Sequence, residues 1–321
     1  MVQKRIGLGT WSWGNQLFWD YQMKNDEELF ATFQEAVKRR FYFIDTADSY
    51  GIGKLNGRSE ELLGKFTKKT SLLQKNRINI ATKLAPYPWR IGKNGFTKPF
   101  LKSLGRLNNK LNIVQLHWST AKYFPFQELQ LLENLSDLVD QGYDFQIGLS
   151  NVGPKRLQQI IEYLALKGKK VKSVQVQYSL LSPELEKQRL VKKICEQNNI
   201  DFLAYSPLSF GLLCYEFKER KYHQKSKLRN FLFSVYEKPT YELRSLIKSI
   251  AEARSVSMAQ VAINWCCYQN AVPIVGIRKR QQVIDISGVL RWDLNIQEFE
   301  MLETASRKCL MKLPGNPFTS N

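Results

Sequence analysis

The sequence predicts an α/β fold, a single-domain (β/α)8 TIM barrel, on three observations. Eight short apolar runs recur along the 321 residues. Each is followed by a stretch of helical length and period. No linker, repeat or low-complexity segment divides the chain. The runs are Arg5–Leu8, Tyr42–Ile44, Ile78–Thr82, Ile113–Leu116, Gln146–Leu149, Ser173–Val176, Phe202–Ala204 and Pro273–Val275. They are largely apolar and not alternating, as parallel strands covered on both faces are.

The stretches between them read as helices in the same order: Asp26–Arg39, Ser59–Phe66, Pro99–Leu107, Phe126–Gln141, Pro154–Leu166, Gln188–Gln197, the pair Tyr241–Ala253 and Met258–Tyr268, and Gln281–Val289. Asn25 is a suitable N-cap for the first, and Pro154 a suitable first-turn residue for the fifth. Residues 206–240 break the regularity. They are basic and aromatic with no clean period, and read as a long loop. Residues beyond about 308 read as a C-terminal tail. A doubly wound sheet would want GxGxxG after its first strand. Here "GLGTWSWG" supplies Gly7 and Gly9, but the third glycine falls at Gly14 and no helix opens there.

Composition narrows the class further. No run of about 18 apolar residues exists, so no membrane span is expected, and the basic start lacks the apolar stretch of a secretory signal. Five scattered cysteines without a CxxC, and two histidines in all, argue against a zinc site and for reduced thiols in the cytoplasm. The sequon at Asn134 carries no meaning there. The net charge of +19 favours anionic partners. The basic residues are dispersed, though, and no nucleic-acid motif accompanies them, so a solvated basic surface is the preferred reading and no specific nucleic acid is expected. The oligomeric state is not readable.

Barrels of this type carry their chemistry at the C-terminal ends of the strands. The polar residues there are Asp45 with Tyr50 in the following loop, Lys83, His117, Ser150 with Asn151, Gln175, and Tyr205 with Ser206. Singly, a Lys ending a strand is usually solvated, a lone His is usually a hydrogen-bonded core residue, and an Asp before a loop is usually a turn former. Together, an acid, a phenol, an ammonium and an imidazole converge at one end of one barrel. They suit one reaction. The carboxylate holds the ammonium, the ammonium lowers the phenol's pKa, and the phenol gives its proton to a carbonyl oxygen as hydride reaches the carbon. A neutral His orients the carbonyl. Such a reduction needs no metal but needs a hydride donor.

These motifs resemble the aldo-keto reductase superfamily over nearly the whole chain. The resemblance rests on "GLGTW" (7–11), "FIDTADSYG" (43–51), "RSEELLG" (58–64), "ATKL" (81–84), "LHW" (116–118), "GLSN" (148–151), "QVQYS" (175–179), "AYSPL" (204–208) and "IVGIRKRQQ" (274–282), in that order. "WSWG" (11–14) and "PYPWRIG" (86–92) look most like a cyanobacterial and plastid-type branch. The resemblance implies a (β/α)8 barrel that binds NADPH/NADP+ and reduces a small-molecule aldehyde or ketone. Asp45, Tyr50, Lys83 and His117 then match the catalytic tetrad, with Tyr50 as acid/base. Ser150, Asn151 and Gln175 match the nicotinamide carboxamide site, and Tyr205 the ring stacked on the nicotinamide. Gly9, Thr10 and Trp11 match the start of the cofactor and substrate pocket. Ser206 and Leu208 match the pyrophosphate side. Arg278, Lys279, Gln282 and Asp285 match the adenosine 2′-phosphate segment. Trp11, Tyr50, His117 and Trp118 would border the substrate.

The segment "GIRKR" carries a physical argument of its own, because a helix start and an arginine both favour a phosphate. Departures from the family pattern are Arg40, where a glycine usually ends the helix before strand two, Phe145, where a basic residue is common, and Ile286, where Asn is frequent. The N-terminal hairpin that plugs the barrel floor is nearly absent. An NADP(H)-binding regulatory or sensor protein on the same scaffold stays open as the alternative. The loops Trp11–Gln22, Tyr87–Gly95, Trp118–Phe126 and 206–240 hold the substrate choice, and their aromatic residues suit an apolar or aromatic carbonyl compound.

Overall fold

The computed structural model describes residues 4–215, 226–309, 311–317 and 319–320. Its eight strands are β1 Gly7–Gly9, β2 Phe43–Asp45, β3 Asn79–Leu84, β4 Ile113–Leu116, β5 Gln146–Ser150, β6 Val171–Gln177, β7 Asp201–Tyr205 and β8 Val272–Gly276. They pair in parallel and in chain order, and β1 pairs with β8 to close the barrel. All eight expected strands are present. Closure leaves no edge strand, which is why such short strands suffice.

The strands are short because each is buried twice. One face packs on the surrounding helices through residues such as Leu8, Ile44, Val114, Leu149 and Val174, all fully buried. The other face points into the barrel. There Phe43, Leu203, Val272 and Ile274 form a separate apolar cluster. Two residues further along β2 and β7 the same face carries Asp45 and Tyr205. The side-chain period of two therefore sets an apolar layer beneath a polar one.

The expected helices are all found, with ends shifted by a few residues. Four more helices appear: Gln16–Trp19, Leu72–Arg77, Lys227–Glu237 and Ile296–Lys308. Lys227–Glu237 occupies the second half of the stretch expected to be a loop, and a 3-10 turn, Ser209–Cys214, occupies part of the first. Residues 216–225 lie outside the described ones. Asn134 is buried and spends its side chain on Phe96 and Thr97, so its sequon is not a surface site. No helix among the described residues is long and apolar enough to cross a membrane.

Arg40 explains how the helix Asp26–Lys38 ends without glycine. Its φ is 67°. The Arg40 N–H bonds the Val37 carbonyl at 3.1 Å and the Phe41 N–H bonds the Ala36 carbonyl at 2.9 Å. This is the double bond pattern of a Schellman end, formed with an arginine in the left-handed position that glycine usually fills.

After helix Ile296–Lys308 the tail runs back across the barrel mouth. The Leu313 N–H bonds the Leu181 carbonyl at 2.9 Å, and the Ser320 hydroxyl accepts the Gly153 N–H at 3.0 Å.

Candidate active site

The polar layer is organised by Asp45, which is 2% exposed. Its Oδ2 accepts from Lys83 Nζ at 2.6 Å. Its Oδ1 accepts from Gln175 Nε2 at 2.7 Å and from Gln115 Nε2 at 3.3 Å. Lys83 is 1% exposed and also donates to the Thr46 carbonyl at 2.8 Å. Burial lowers the Lys83 pKa, and the adjacent Asp45 carboxylate opposes that. A buried ion pair of this kind holds only because each partner finds further hydrogen bonds.

Tyr50 reaches the site through backbone pairing that outlasts β2. The Thr46 N–H bonds the Ala81 carbonyl and the Asp48 N–H bonds the Lys83 carbonyl, each at 2.9 Å. The chain thus runs alongside β3 before it turns. The turn needs Gly51, whose φ is 117° and whose missing Cβ would fall 1.8 Å from the Leu55 carbonyl oxygen. The Lys83 ammonium then lies 4.8 Å from the centroid of the Tyr50 ring.

His117 continues β4, with its N–H bonded to the Leu84 carbonyl at 3.1 Å. Its ring meets the Tyr50 ring edge-on, with centroids 5.9 Å apart. Its Nδ1 is 3.2 Å from the Ser49 hydroxyl. Burial, then the charges of Lys83 and Arg90, push its pKa well below 6.5, so the imidazole is neutral at physiological pH. Tyr50 departs from expectation. Its pKa is raised well above 10.0, by burial first and by the Asp45 charge second. The phenol is therefore held in its protonated form, and burial with the Asp45 charge outweighs the lowering expected from Lys83.

On the far side of the barrel, Asn151 sits in the left-handed region at φ 55°. Its Nδ2 donates to the His117 carbonyl at 3.0 Å and to Ser150 Oγ at 3.1 Å. Its Oδ1 accepts the Tyr205 hydroxyl at 2.8 Å. Tyr205 also hydrogen-bonds Asn316 of the tail. With Gln175 on Asp45, these residues form one connected set with the first four. Thr10 is turned inward: its hydroxyl donates to the Asp45 carbonyl at 2.9 Å and accepts from Ser59 Oγ at 2.6 Å. Trp11 instead lies in an exposed aromatic group with Phe18, Trp19 and Phe210. Trp118 donates its indole N–H to the Tyr123 hydroxyl at 2.8 Å, and Tyr87 stacks on Trp89 with centroids 4.7 Å apart.

The remaining expected residues lie further out. Ser206 at φ 52°, Ser209 at 51°, Phe210 at 59° and Gly211 at 98° turn the chain tightly after β7 around Leu208. A non-glycine residue held there marks a constrained loop. Arg278 and Lys279 line a cavity of about 300 Å³ together with Ser12, Trp19, Glu28 and Arg229. The Arg278 and Arg229 guanidinium carbons lie 4.9 and 4.4 Å from the Trp19 ring centroid. Ser12 Oγ and Trp19 Nε1 are buried and find no hydrogen-bond partner among the described residues. The helix start is capped from within. Gln282 Oε1 takes the Arg278 and Lys279 backbone N–H groups at 3.0 and 3.1 Å. Asp285 accepts from Ser257 and Gln260 instead, and neither Gln282 nor Asp285 is among the residues lining the cavity. Among the described residues no group of three or more His, Cys, Asp and Glu could hold a metal.

Residues 5–307 match the model of the aldo/keto reductase family. The chain belongs to that family. It is similar to the chloroplastic pyridoxal reductase of Arabidopsis thaliana, at 41% identity over 316 residues, covering 98% of this chain and 86% of the relative. That agrees with the plastid-type resemblance of its motifs. It is 26% identical to a putative aryl-alcohol dehydrogenase of Schizosaccharomyces pombe, covering 94% of this chain and 92% of that one. The glycerol dehydrogenase of Gluconobacter oxydans shares the fold with a TM-score of 0.77 at 23% identity, covering 99% and 95% of the two chains. An aldo-keto reductase of Klebsiella pneumoniae, solved in complex with NADPH, does so with 0.71 at 22% identity, covering 98% and 99%.

In this aldo-keto reductase the site also gathers residues that the motifs alone do not single out. Gln115 precedes His117 by two positions, so strand alternation puts both inside the barrel; that signal was readable. Ser49 gave no such signal because it lies in a loop, and Trp19 and Arg229 gave none because they lie on helices the sequence reading did not expect.

Proposed function

We propose that Tyr50 is the proton donor in an NADPH-dependent reduction of an aldehyde or ketone. The observation that carries this is the buried Asp45–Lys83 pair beneath the protonated Tyr50 phenol. NADPH, when bound, supplies the hydride. The residues present fit it. Ser150, Asn151 and Gln175 offer amide and hydroxyl groups for the carboxamide, and Tyr205 an aromatic face for the nicotinamide. Arg278 and Lys279, beside the unpartnered Ser12 and Trp19 polar atoms, suit an anionic phosphate end. Gly9, Thr10 and Trp11 stand between the two ends, and Thr10 acts by bracing the Asp45 backbone.

As the carbonyl oxygen gains charge, Tyr50 gives it a proton, and the nearby Lys83 ammonium stabilises the phenolate left behind. His117, being neutral, donates a hydrogen bond to the same oxygen. For substrate we infer a planar aromatic aldehyde of the pyridoxal kind, admitted past Trp11, Tyr87, Trp89 and Trp118; the pyridoxal reductase relative supports this choice. A reducing compartment, the cytoplasm on the sequence reading, suits its five unpaired cysteines; the named relative is chloroplastic.

The test is NADPH consumption with pyridoxal, benzaldehyde-type and aliphatic aldehydes, run beside Tyr50→Phe. The variant should still bind NADPH and lose at least about 100-fold in turnover. Wild-type turnover in the variant overturns the role of Tyr50. NADPH binding without turnover of any aldehyde returns the protein to the regulatory reading.

A further inference from the structure

Ser49 is the residue between the buried Asp48 and the proposed acid Tyr50. Its place is fixed from several sides. Asp48 ion-pairs with Arg90 and accepts the Ala85 N–H at 3.2 Å, and its own N–H is tied to Lys83. Ser49 Oγ is thereby set 3.2 Å from His117 Nδ1. The Tyr87 phenol oxygen faces the same hydroxyl. Tyr87 is itself held by Trp89 stacked on it and by the Arg90 guanidinium 4.9 Å from its ring centroid.

A neutral imidazole has one N–H, on either nitrogen. A second proton is disfavoured here, since Lys83 and Arg90 are the charges that act on the ring most strongly. Whichever nitrogen carries the single proton decides what the ring shows to substrate. With the proton on Nδ1, a lone pair at Nε2 would face a carbonyl oxygen and repel it. With the proton on Nε2, the ring donates.

We propose that Ser49 is the positioning residue that fixes His117 in its Nε2–H tautomer. Ser49 donates its hydroxyl proton to His117 Nδ1, and Nε2–H is left for the carbonyl oxygen. This deepens the reading above and rests on His117 facing substrate. No covalent bond is made or broken in it; the hydrogen bond only orients protons. It also gives the loop carrying Arg90 a part in the chemistry without contact with substrate.

The chain has two histidines, so the tautomer can be read directly. Protein labelled with 15N-histidine, without cofactor or substrate, gives the His117 ring nitrogen shifts, with His223→Gln for assignment. Wild type should show protonated Nε2 and bare Nδ1. Ser49→Ala should shift the tautomer ratio toward Nδ1–H roughly five- to tenfold and lower kcat by a similar factor, with KM for NADPH unchanged. Ser49→Thr, which keeps the hydroxyl, should restore both. Should Ser49→Ala not fold, Ser49→Cys presents a weaker donor of similar shape and should move the ratio in the same direction. Protonated Nδ1 in the wild type, or a ratio unmoved by loss of the hydroxyl, overturns the proposal. Because the spectrum needs no turnover, a protein that shows the expected tautomers and reduces nothing would refute the reductase reading alone.

Discussion

The Lys83 ammonium and the Asp45 carboxylate meet at 2.6 Å, and neither side chain is more than 3% exposed. Removing one partner strands the other in a dry interior. Lys83→Met should destabilise the protein by about 3–5 kcal/mol, read from the urea midpoint, and abolish reduction. Lys83→Met with Asp45→Leu should recover part of the stability and none of the activity. A loss below about 1 kcal/mol in the single variant would mean that the pair does not hold the inner layer.

His117 makes stability depend on pH in a defined direction. Its folded pKa lies well below the 6.5 of an ordinary imidazole. Below about pH 6.5 the unfolded chain binds a proton there and the folded chain does not. The folded state therefore loses stability as pH falls from that point toward the folded pKa, and gains nothing above it. The wild-type melting temperature should fall more steeply than that of His117→Asn as the pH is lowered from about 6.5 to 5. Parallel curves would contradict the neutral imidazole.

At the outer end, Arg278 donates to the Trp19 carbonyl at 2.8 Å beside Lys279 in the same cavity. Loss of a charged partner to a 2′-phosphate costs about 1.5–3 kcal/mol. Arg278→Gln should weaken NADPH binding by roughly 10- to 100-fold while leaving NADH binding almost unchanged, measured by quenching of protein fluorescence. Equal loss for both nucleotides would place Arg278 elsewhere on the cofactor.

Arg40 offers a test of fold rather than function. A side chain in the left-handed region costs about 1–2 kcal/mol. Arg40→Gly should raise stability by about 1 kcal/mol, offset in part by the greater freedom of glycine in the unfolded chain. No change in the thermal midpoint would mean that contacts of the Arg40 side chain compensate.

The strands were legible because each is covered on both faces and so is largely apolar. The site was legible because parallel strands end together: Asp45, Lys83 and His117 had only to be read at the ends of neighbours. Helix Ile296–Lys308 was missed although Asn295 and Glu298 form a capping box at its start, a signal present in the sequence. Leu72–Arg77 buries none of its residues, so no apolar face advertised it. One expectation failed for a physical reason. Desolvation governs the Tyr50 phenol, and burial is not written in a strand pattern. The contacts of Gln282 with the Arg278 and Lys279 amides and of Asp285 with Ser257 were not readable, because a side chain can point to either flank of a short helix.

Asp45 on β2 receives hydrogen bonds from β3, β4 and β6 through Lys83, Gln115 and Gln175. Half of the barrel's staves are thus pinned to a single carboxylate. Exchange of any one of these four residues leaves the other three mismatched, so this inner set can change only as a block. Among the described residues, the loops 91–95 and 118–126 send no hydrogen bond to that carboxylate. Directed diversification for new carbonyl compounds belongs in those loops, with the inner set left untouched as an inheritance passed on whole.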